Sequence, residues 1–432
     1  MKKRHIDVIT LGCSKNLVDS ERLMKLLGDA GFTVRHNPEG TPGQVVIINT
    51  CGFIGDAKEE SINTILSYID SRKSGRVEKL IVMGCLSERY GEELKNEIPE
   101  VDYWTGKFNW NDIVGYLTNS YPAVVGYDRV LTTGPHHAYL KIAEGCNRFC
   151  AFCAIPLITG RFKSRPIEEI VAEVEKLARK GVKELNIIAQ DLSSYGIDLY
   201  GEKKLAQLVT AVSEVKGIEW IRLHYAYPAD FPYDVLPVMR DNPKVCKYLD
   251  IALQHISDPV LSNMRRHFTS SQTKELIRRL REEVPGIHIR TTLMVGFPGE
   301  GEKEFRELVD FVKETRFERM GAFAYCEEDD TFAAKNLKDS IPQSTKQERL
   351  DLLMAVQEEI SSDIQQSKVG SVIKIIVDRE EEDYYVGRSQ WDSPEVDPEV
   401  LIEKTKNLVI GQFYDVEITE ALPFELIGKV HE

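Results

Sequence analysis

Three short apolar runs near the amino terminus each lead directly into a cysteine. The runs span residues 6–11, 45–48 and 80–83, and the cysteines that follow them are Cys13, Cys51 and Cys85. Helical patterns separate the runs, and this alternation predicts a parallel α/β sheet. The carboxyl ends of parallel strands share one edge of a sheet, so we expect the three cysteines to meet there. A shared metal site is the favoured interpretation; the alternative is that small, apolar cysteine is simply buried at strand ends.

The same alternation of strands and helices restarts further along the chain. Strands are predicted at residues 139–143, 184–189, 219–223, 248–253, 287–295 and 320–325. The helices between them include residues 168–180, which Gly181 ends, and residues 302–315. A closed barrel of eight such units needs about 250 residues, so six units predict an open, partial (βα)6 barrel. Its working face should be the carboxyl ends of the strands.

The last part of the chain has a different pattern. A charged helical connector at residues 345–366 precedes short β-rich runs, separated by turn signals, over residues 371–432. These runs predict a small antiparallel β-barrel. Residues 371–432 contain 15 Asp and Glu against 6 Lys and Arg. This surplus of acid favours a basic partner, although a charged segment can equally be a solvated face.

A tight cluster of thiols follows the first predicted barrel strand. Cys146, Cys150 and Cys153 lie on one loop, with no fourth cysteine nearby in sequence. Three thiolates at this spacing can hold three corners of a 4Fe–4S cluster. The fourth iron is then free to chelate S-adenosylmethionine and to deliver the electron that cleaves it to a radical. The alternative is a zinc site completed by His136 or His137, but both precede the strand and should lie at its other end.

The sequence around this loop resembles a known family. The pattern C-x3-C-x-aromatic-C, with Phe152 in the aromatic slot, is similar to the signature of the radical S-adenosylmethionine superfamily. The longer string IAEGCNRFCAFCAIPLITGRFKSR, with LGC, INTC and MGC upstream, resembles the methylthiotransferases. The resemblance covers nearly the whole chain. It implies an N-terminal methylthiotransferase domain over residues 1–125, a radical S-adenosylmethionine domain over 132–365 and a TRAM domain for substrate recognition over 366–432.

The resemblance also implies roles for six of the eight cysteines. The first three would hold an auxiliary 4Fe–4S cluster and the three on the loop would hold the radical cluster, giving two clusters in all. The six implied ligands are Cys13, Cys51, Cys85, Cys146, Cys150 and Cys153. Phe152 would lie against S-adenosylmethionine, which serves as radical source and methyl donor. Cys246 and Cys326 match neither site, and we expect both to be core residues.

Several stretches resemble the branch of this family that modifies a ribosomal protein: LGCSKNLVDSE, NTCGFIGDAKEESI, IRLHYAYP, LDIALQH and VGFPGE. That branch methylthiolates the β-carbon of an aspartate in ribosomal protein S12, whereas the other branch acts on tRNA adenosines. Ser14-Lys15-Asn16 stand where the tRNA branch usually has Gln-Met-Asn. The acidic composition of residues 371–432 also favours the ribosomal-protein branch, because a domain that binds tRNA should be basic. The nearer alternative is tRNA methylthiolation; the more distant one is a non-catalytic iron–sulfur electron carrier or scaffold.

Charge and composition bear on partners and location. The net charge of −14 argues against a nucleic-acid partner such as tRNA. We expect ribosomal protein S12, free or within the small ribosomal subunit, as partner, with a low-potential flavodoxin or ferredoxin as electron donor. No apolar run approaches the roughly 18 residues that cross a bilayer, so a cytoplasmic enzyme without a membrane partner is predicted. Gln190, Gln254, His255 and Glu300 could orient the cofactor, but none is assigned a catalytic role.

Overall fold

The computed structural model describes residues 5–120 and 126–431. Over these ranges the chain forms a parallel five-stranded sheet, a parallel six-stranded sheet with a short two-stranded ribbon, and a closed five-stranded barrel. The predicted fold class is confirmed in all three parts. None of the helices in these ranges is both long and apolar enough to span a bilayer.

The amino-terminal sheet is built from five strands with helices between them. Its elements are β1 (His5–Thr10), α1 (Ser14–Asp29), β2 (Thr33–His36), β3 (Val45–Thr50), α2 (Gly55–Lys73), β4 (Lys79–Gly84), α3 (Cys85–Glu97), β5 (Tyr103–Trp104) and α4 (Trp110–Thr118). The strand order is β2-β1-β3-β4-β5, and all neighbours are parallel. All six residues of β3 are buried, which explains its unbroken apolar run. The sequence pattern does not predict β2 or β5, because β2 is only half-buried and β5 has two residues.

The six-stranded sheet forms the partial barrel. Its elements are β6 (His137–Lys141), β7 (Ala143–Glu144), α5 (Ile155–Thr159), β8 (Lys163–Ser164), α6 (Ile167–Arg179), β9 (Glu184–Ile188), α7 (Ile197–Tyr200), α8 (Leu205–Ser213), β10 (Trp220–Ala226), α9 (Val235–Asp241), β11 (Val245–Gln254), α10 (Asp258–Asn263), α11 (Ser270–Glu283), β12 (His288–Val295), α12 (Glu302–Thr315), β13 (Arg319–Ala324), α13 (Phe332–Asn336) and α14 (Gln343–Gln366). The order β6-β9-β10-β11-β12-β13 is parallel throughout. The six predicted strands, the two predicted helices and the helical connector are all present. One continuous apolar core joins the strands to the helices that cover them.

The carboxyl-terminal strands close into a small barrel around its own apolar core. Its elements are β14 (Val372–Glu380), β15 (Tyr384–Ser389), β16 (Glu399–Glu403), β17 (Phe413–Leu422) and β18 (Glu425–Val430). The strand pairs are antiparallel as predicted, except that β16 and β18 pair in parallel. Closure removes the exposed strand edges that a five-stranded open sheet would leave.

Buried ion pairs fix this small barrel to the amino ends of the six-stranded sheet. Glu184, the first residue of β9, pairs with Arg388 of β15 at 2.7 Å and with Arg222 of β10. His136, just before β6, contacts Asp378 of β14 at 2.7 Å. Burial raises the pKa of Glu184, but the two guanidinium groups outweigh burial and hold that pKa well below its ordinary range. The small barrel is therefore attached at the end of the strands that lies opposite the Cys146 loop.

Replacing Glu184 with Gln should strongly destabilise this attachment. Two buried guanidinium groups would lose their shared counter-charge, and breaking a buried pair in this way costs about 3–5 kcal/mol. A control is Glu219→Gln, which removes an exposed pair with Lys374 at the same interface and should change stability by less than about 1 kcal/mol. Urea unfolding followed by tryptophan fluorescence compares the two variants. Equal unfolding midpoints would contradict the role of Glu184.

Candidate functional site

The three amino-terminal cysteines lie on adjacent loops at one edge of the five-stranded sheet. Cys13 follows β1 and precedes the first turn of α1, Cys51 follows β3, and Cys85 is the first residue of α3. Because β1, β3 and β4 are neighbours, their carboxyl ends deliver the three thiols side by side. Cys13 and Cys85 also stand at helix amino termini, where the helix dipole favours negative charge.

Glycines beside these cysteines allow the three loops to touch. A β-carbon on Gly12 would lie 2.8 Å from the β-carbon of Cys51 and 2.9 Å from its sulfur. A β-carbon on Gly52 would lie 2.6 Å from the backbone nitrogen of Leu86, which follows Cys85. No side chain fits at such distances. The first loop therefore packs on the second and the second on the third, which brings the three thiols together.

A buried lysine lies beside these thiols. Lys107 Nζ is 3.8 Å from the sulfur of Cys85 and 3.5 Å from a carboxylate oxygen of Asp19. Burial raises the pKa of Cys85 to about 12, although Lys107 opposes this rise, and burial also raises the pKa of Cys51. These two thiols keep their protons at neutral pH, and binding a metal would release them. The Lys107 ammonium would then offset the negative charge of the thiolates.

The second set of cysteines lies on a firmly anchored loop after β7. The backbone N–H of Ala151 donates to the carbonyl of Met264 at 2.8 Å, and that of Cys153 donates to the carbonyl of Cys150 at 3.1 Å. Phe149 adopts a left-handed conformation with φ of 50°, which turns the chain sharply between the thiols. These contacts fix the loop against the carboxyl ends of the barrel strands.

Two arginines contact the sulfur atoms of this loop. Arg266 Nη1 donates to the sulfur of Cys150 at 3.3 Å, and the backbone N–H of Arg148 donates to the sulfur of Cys146 at 3.5 Å. The Arg148 guanidinium is held by Asp191 at 2.7 Å. Burial raises the pKa of Cys146 to about 11, so this thiol too is neutral until a metal binds. Hydrogen bonds and positive charge at the sulfur atoms suit a cluster that carries thiolate ligands.

The two sets of cysteines are neighbours. Cys85 packs in one apolar cluster with Ala154 and Ile158, and Ala154 directly follows Cys153. Helix α3, which begins at Cys85, therefore contacts the short helix α5 that follows the second loop. A thiol of the first set and the loop of the second set thus share one interior surface between the two sheets.

A buried ionic network crosses the same boundary. Asp19 of α1 lies between Lys107 and Lys141, and Lys141 is the last residue of β6. Lys141 also pairs with Glu144, two residues before Cys146. Asp19 and both lysines are almost completely buried. Removing one member of such a network leaves an unpaired buried charge, so the network fixes how the two sheets meet.

Both sets of residues fit an iron–sulfur cluster. All eight cysteines are free thiols, and soft thiolates select iron–sulfur centres over hard cations. Each set offers three ligands, which leaves one corner of a four-iron cubane without a protein thiolate. Within residues 5–120 and 126–431 no three His, Cys, Asp or Glu side chains are grouped closely enough to hold a single metal ion.

The geometry disfavours the alternative zinc site. His136 Nε2 lies 2.7 Å from Asp378 of the small barrel, and His137 begins β6. Burial lowers the pKa of His137 to about 4. The length of β6 separates both rings from the Cys146 loop. The two histidines therefore belong to the interface with the carboxyl-terminal barrel.

Phe152 lies beside the second thiol loop and points into an apolar cluster. Its ring meets that of Phe297 edge to face, with ring centroids 6.2 Å apart, and Met294 and Tyr325 belong to the same cluster. The packing fixes the orientation of the aromatic ring. Its contact with S-adenosylmethionine stays a prediction.

The four polar residues at the strand ends divide into two pairs. His255 and Glu300 are buried 3.2 Å apart, and Arg349 binds Glu300 at 2.7 Å, so this pair is satisfied within the protein. Gln190 and Gln254 each bury a side-chain oxygen that has no hydrogen-bond partner among the described residues. Gln254 also has a left-handed backbone, with φ of 71°. These two amide oxygens are available to a ligand that carries N–H or O–H donors.

The two remaining cysteines differ from one another. Cys246 is buried in β11 against Trp220 and Tyr248, as expected of a core residue. Cys326 is exposed, so the expectation that it belongs to the core is wrong. It follows β13, which is the edge strand of its sheet, and an edge strand lacks a neighbour on one side.

The sequence pattern does not reveal the charged residues around the thiols. Lys107 follows β5 at the same sheet edge as the cysteines, so the strand-end argument would have found it if the two-residue β5 had been recognised. Asp19 lies within α1, where a charged residue normally faces solvent. Arg266 reaches the thiol loop from 116 positions further along the chain. No local pattern predicts such a contact.

Three family models match the chain. They are the Uncharacterized protein family UPF0004 at residues 5–106, the Radical SAM superfamily at residues 140–312 and the TRAM domain at residues 369–430. Each match falls on one of the three sheet-based parts of the fold.

Curated relatives match over the full length. The ribosomal protein uS12 methylthiotransferase RimO of Parabacteroides distasonis is 59% identical over 430 residues, and that of Porphyromonas gingivalis is 57% identical over 432 residues, with 100% of each chain covered. This chain belongs to the RimO family. The relative from Christiangramia forsetii is 51% identical and covers 99% of this chain and 95% of its own. The family and the branch that the sequence resembles are both confirmed, and membership implies S-adenosylmethionine and iron–sulfur cofactors.

Solved structures with a similar fold are more distant in sequence. The radical S-adenosylmethionine methyltransferase TsrM from Kitasatospora setae has a TM-score of 0.54 at 15% identity, covering 74% of this chain and 72% of its own. The cobalamin-dependent S-adenosylmethionine radical enzyme OxsB has a TM-score of 0.53 at 14% identity, covering 83% of this chain and 56% of its own. At these identities the likeness establishes the shared fold alone.

Replacing Gly12 with Ala should disrupt the first set of cysteines. The new methyl group would meet Cys51, and the φ of +87° at Gly12 is strained for any residue with a side chain. After anaerobic reconstitution we expect Gly12→Ala to retain about half of the wild-type iron. A control is Gly31→Ala, which has a φ of +93° but no heavy atom within 4 Å of the added carbon. Full iron in Gly12→Ala would contradict this account of the loops.

Proposed function

We propose that this chain is a methylthiotransferase that acts on the β-carbon of an aspartate in ribosomal protein uS12. The observation that carries the proposal is the shared apolar cluster of Cys85, Ala154 and Ile158, which makes neighbours of the two cysteine sets. A reaction that needs a radical and a source of sulfur at the same carbon requires such proximity. The full-length relatives that bear the uS12 methylthiotransferase name support the choice of substrate.

The proposal assigns the six cysteines to two 4Fe–4S clusters. Cys13, Cys51 and Cys85 would hold the auxiliary cluster from which sulfur is drawn. The radical cluster would be held by the loop cysteines, namely Cys146, Cys150 and Cys153. The corresponding units are an N-terminal methylthiotransferase domain at residues 1–125, a radical S-adenosylmethionine domain at 132–365 and a TRAM domain at 366–432.

The protein's own contribution is positioning and exclusion of water. When bound, a 4Fe–4S cluster with one open iron supplies the electron that cleaves S-adenosylmethionine to a radical able to abstract an unactivated hydrogen. Phe152 and the apolar cluster behind it would shield that radical from solvent. The unpaired oxygens of Gln190 and Gln254 would accept hydrogen bonds from the bound cofactor. Arg148 and Arg266 hold the loop sulfurs in place and balance their charge.

The charge of the carboxyl-terminal barrel supports a basic protein as substrate. Residues 371–432 carry 15 acids against 6 bases, and Glu381, Glu382 and Asp383 form an exposed run at the turn between β14 and β15. Opposite charges steer encounter between a basic protein and this surface. The same charge opposes tRNA, whose phosphates require a basic surface. We therefore place tRNA outside the substrates of this chain.

The reaction needs an external supply of electrons. A low-potential flavodoxin or ferredoxin is the donor class we propose, because reductive cleavage of S-adenosylmethionine consumes an electron that no described side chain can supply. We place the reaction in the cytoplasm, where the ribosome and these donors are present. No membrane partner is part of the proposal.

Product formation with two substrates tests the proposed function. Reconstituted protein, S-adenosylmethionine and a chemical reductant are incubated with uS12 or with unmodified tRNA, and the products are identified by mass spectrometry. We expect a methylthio group on an aspartate of uS12 and none on tRNA. The triple variant Cys13→Ala, Cys51→Ala, Cys85→Ala should still cleave S-adenosylmethionine but form no product. The triple variant at Cys146, Cys150 and Cys153 should do neither.

Two results would contradict the proposal. A methylthio group on tRNA alone would move the chain to the other branch of the family. Loss of cofactor cleavage in the first triple variant, with folding intact by circular dichroism, would refute the division of roles between the two cysteine sets.

A further inference from the structure

Lys15 is a buried cation at the boundary between the amino-terminal sheet unit and the barrel. It lies two residues after Cys13, in the first turn of α1, and is 9% exposed. Its Nζ stands 3.4 Å from the centroid of the Tyr225 ring. Tyr225 belongs to the carboxyl end of β10, on the working face of the barrel. Lys15 thus extends from the loop of the first thiol set to the wall of the barrel.

The ammonium group of Lys15 has no carboxylate at ion-pair distance. Across residues 5–120 and 126–431, no carboxylate lies within 4 Å of its Nζ, which stands over the Tyr225 ring. Asp250 and Cys13 act on the ammonium only from a longer distance. The nearby acids already have other cations as partners. Asp19 on the same helix is held by two other lysines, and Asp250 lies 3.5 Å from Arg290.

A buried cation without a carboxylate in direct contact is costly, and contact with an aromatic face offsets only part of that cost. Such a group is stabilised by an anion that binds beside it. The complementary ligand is a carboxylate, because a lysine ammonium offers three donors to its oxygens. Tyr225 would hold the ammonium in place while the carboxylate binds to it.

We propose that Lys15 binds the side-chain carboxylate of the substrate aspartate. This inference rests on the proposed function and adds the residue that selects the aspartate. In an aspartate the reacting β-carbon is bonded directly to the carboxyl carbon, so binding the carboxylate positions the reacting atom. The position of Lys15 beside Cys13 places that carbon next to the set of cysteines assigned to sulfur supply. S-adenosylmethionine also carries a carboxylate, but Lys15 belongs to the opposite thiol set from the Arg148 and Arg266 that contact the radical loop.

Lys15→Met removes the charge and keeps the length of the side chain. With uS12 we expect kcat/KM to fall about tenfold to hundredfold, mainly through KM, because a charge-assisted hydrogen bond is lost. A uS12 in which the target aspartate is Asn should be a poor substrate for the wild type. For Lys15→Met, the ratio of kcat/KM with the Asp substrate to kcat/KM with the Asn substrate should fall close to one. Lys15→Arg retains the cation and should keep most of the preference.

Controls separate this role from a structural one. The matched control is Lys25→Met. Lys25 lies on the same helix and pairs with Asp29 at the surface, so this variant should leave every measured parameter unchanged. Iron content, the affinity for S-adenosylmethionine and its cleavage without substrate should match the wild type in Lys15→Met. A thermal melt close to that of the wild type shows that the variant is folded.

Three outcomes would overturn the inference. An unchanged preference for Asp over Asn in Lys15→Met would show that Lys15 does not bind the substrate carboxylate. A parallel loss of affinity for S-adenosylmethionine would assign Lys15 to the carboxylate of the cofactor instead. If Lys15→Arg loses the preference for Asp as fully as Lys15→Met does, the preference depends on the shape of the lysine side chain and not on its charge. Failure of the proposed function is distinct from all three, because the wild type itself would then leave uS12 unmodified.

Discussion

The buried carboxylate of Asp19 lies between Lys107 of the amino-terminal sheet unit and Lys141 of the barrel. This network reaches both parts of the chain that carry cysteines. Lys107 contacts the sulfur of Cys85, and Lys141 is the last residue of β6, which precedes the Cys146 loop. Burying charge is unfavourable unless each group is paired. The observed placement of the two sheets pairs these groups and also makes neighbours of the two thiol sets.

The barrel strands carry different interactions at their two ends. At the amino ends, Glu184 and Arg319 form buried ion pairs with Arg388 and Asp392 of the small carboxyl-terminal barrel, and Arg222 donates a hydrogen bond to the carbonyl of Ser389. At the carboxyl ends, loops carry the thiols and unpaired amide oxygens. A protein partner that bound the small barrel would have to extend past the sheet to reach the thiols. This arrangement suits a large substrate better than a small molecule.

Much of the fold follows from local sequence patterns. Strands such as β3 are buried on both faces and appear in the sequence as continuous apolar runs. Cys13, Cys51 and Cys85 could be placed at one sheet edge because each follows such a run. The two-residue β5 carries too little signal, so Lys107 behind it is missed. The exposure of Cys326 depends on which strand lies at the sheet edge, and the partners of Asp19 depend on how two sheets meet. Both are properties of tertiary packing, which no local pattern encodes.

Anomalous scattering at the iron edge, from crystals of the anaerobically reconstituted chain, would locate the iron directly. We expect iron at two places, one beside Cys13, Cys51 and Cys85 and one beside the loop at Cys146. Both should border the boundary between the two sheets, where Lys15 lies. Iron at only one set of cysteines, or two centres that face away from each other, would contradict the assignment of the two cysteine sets.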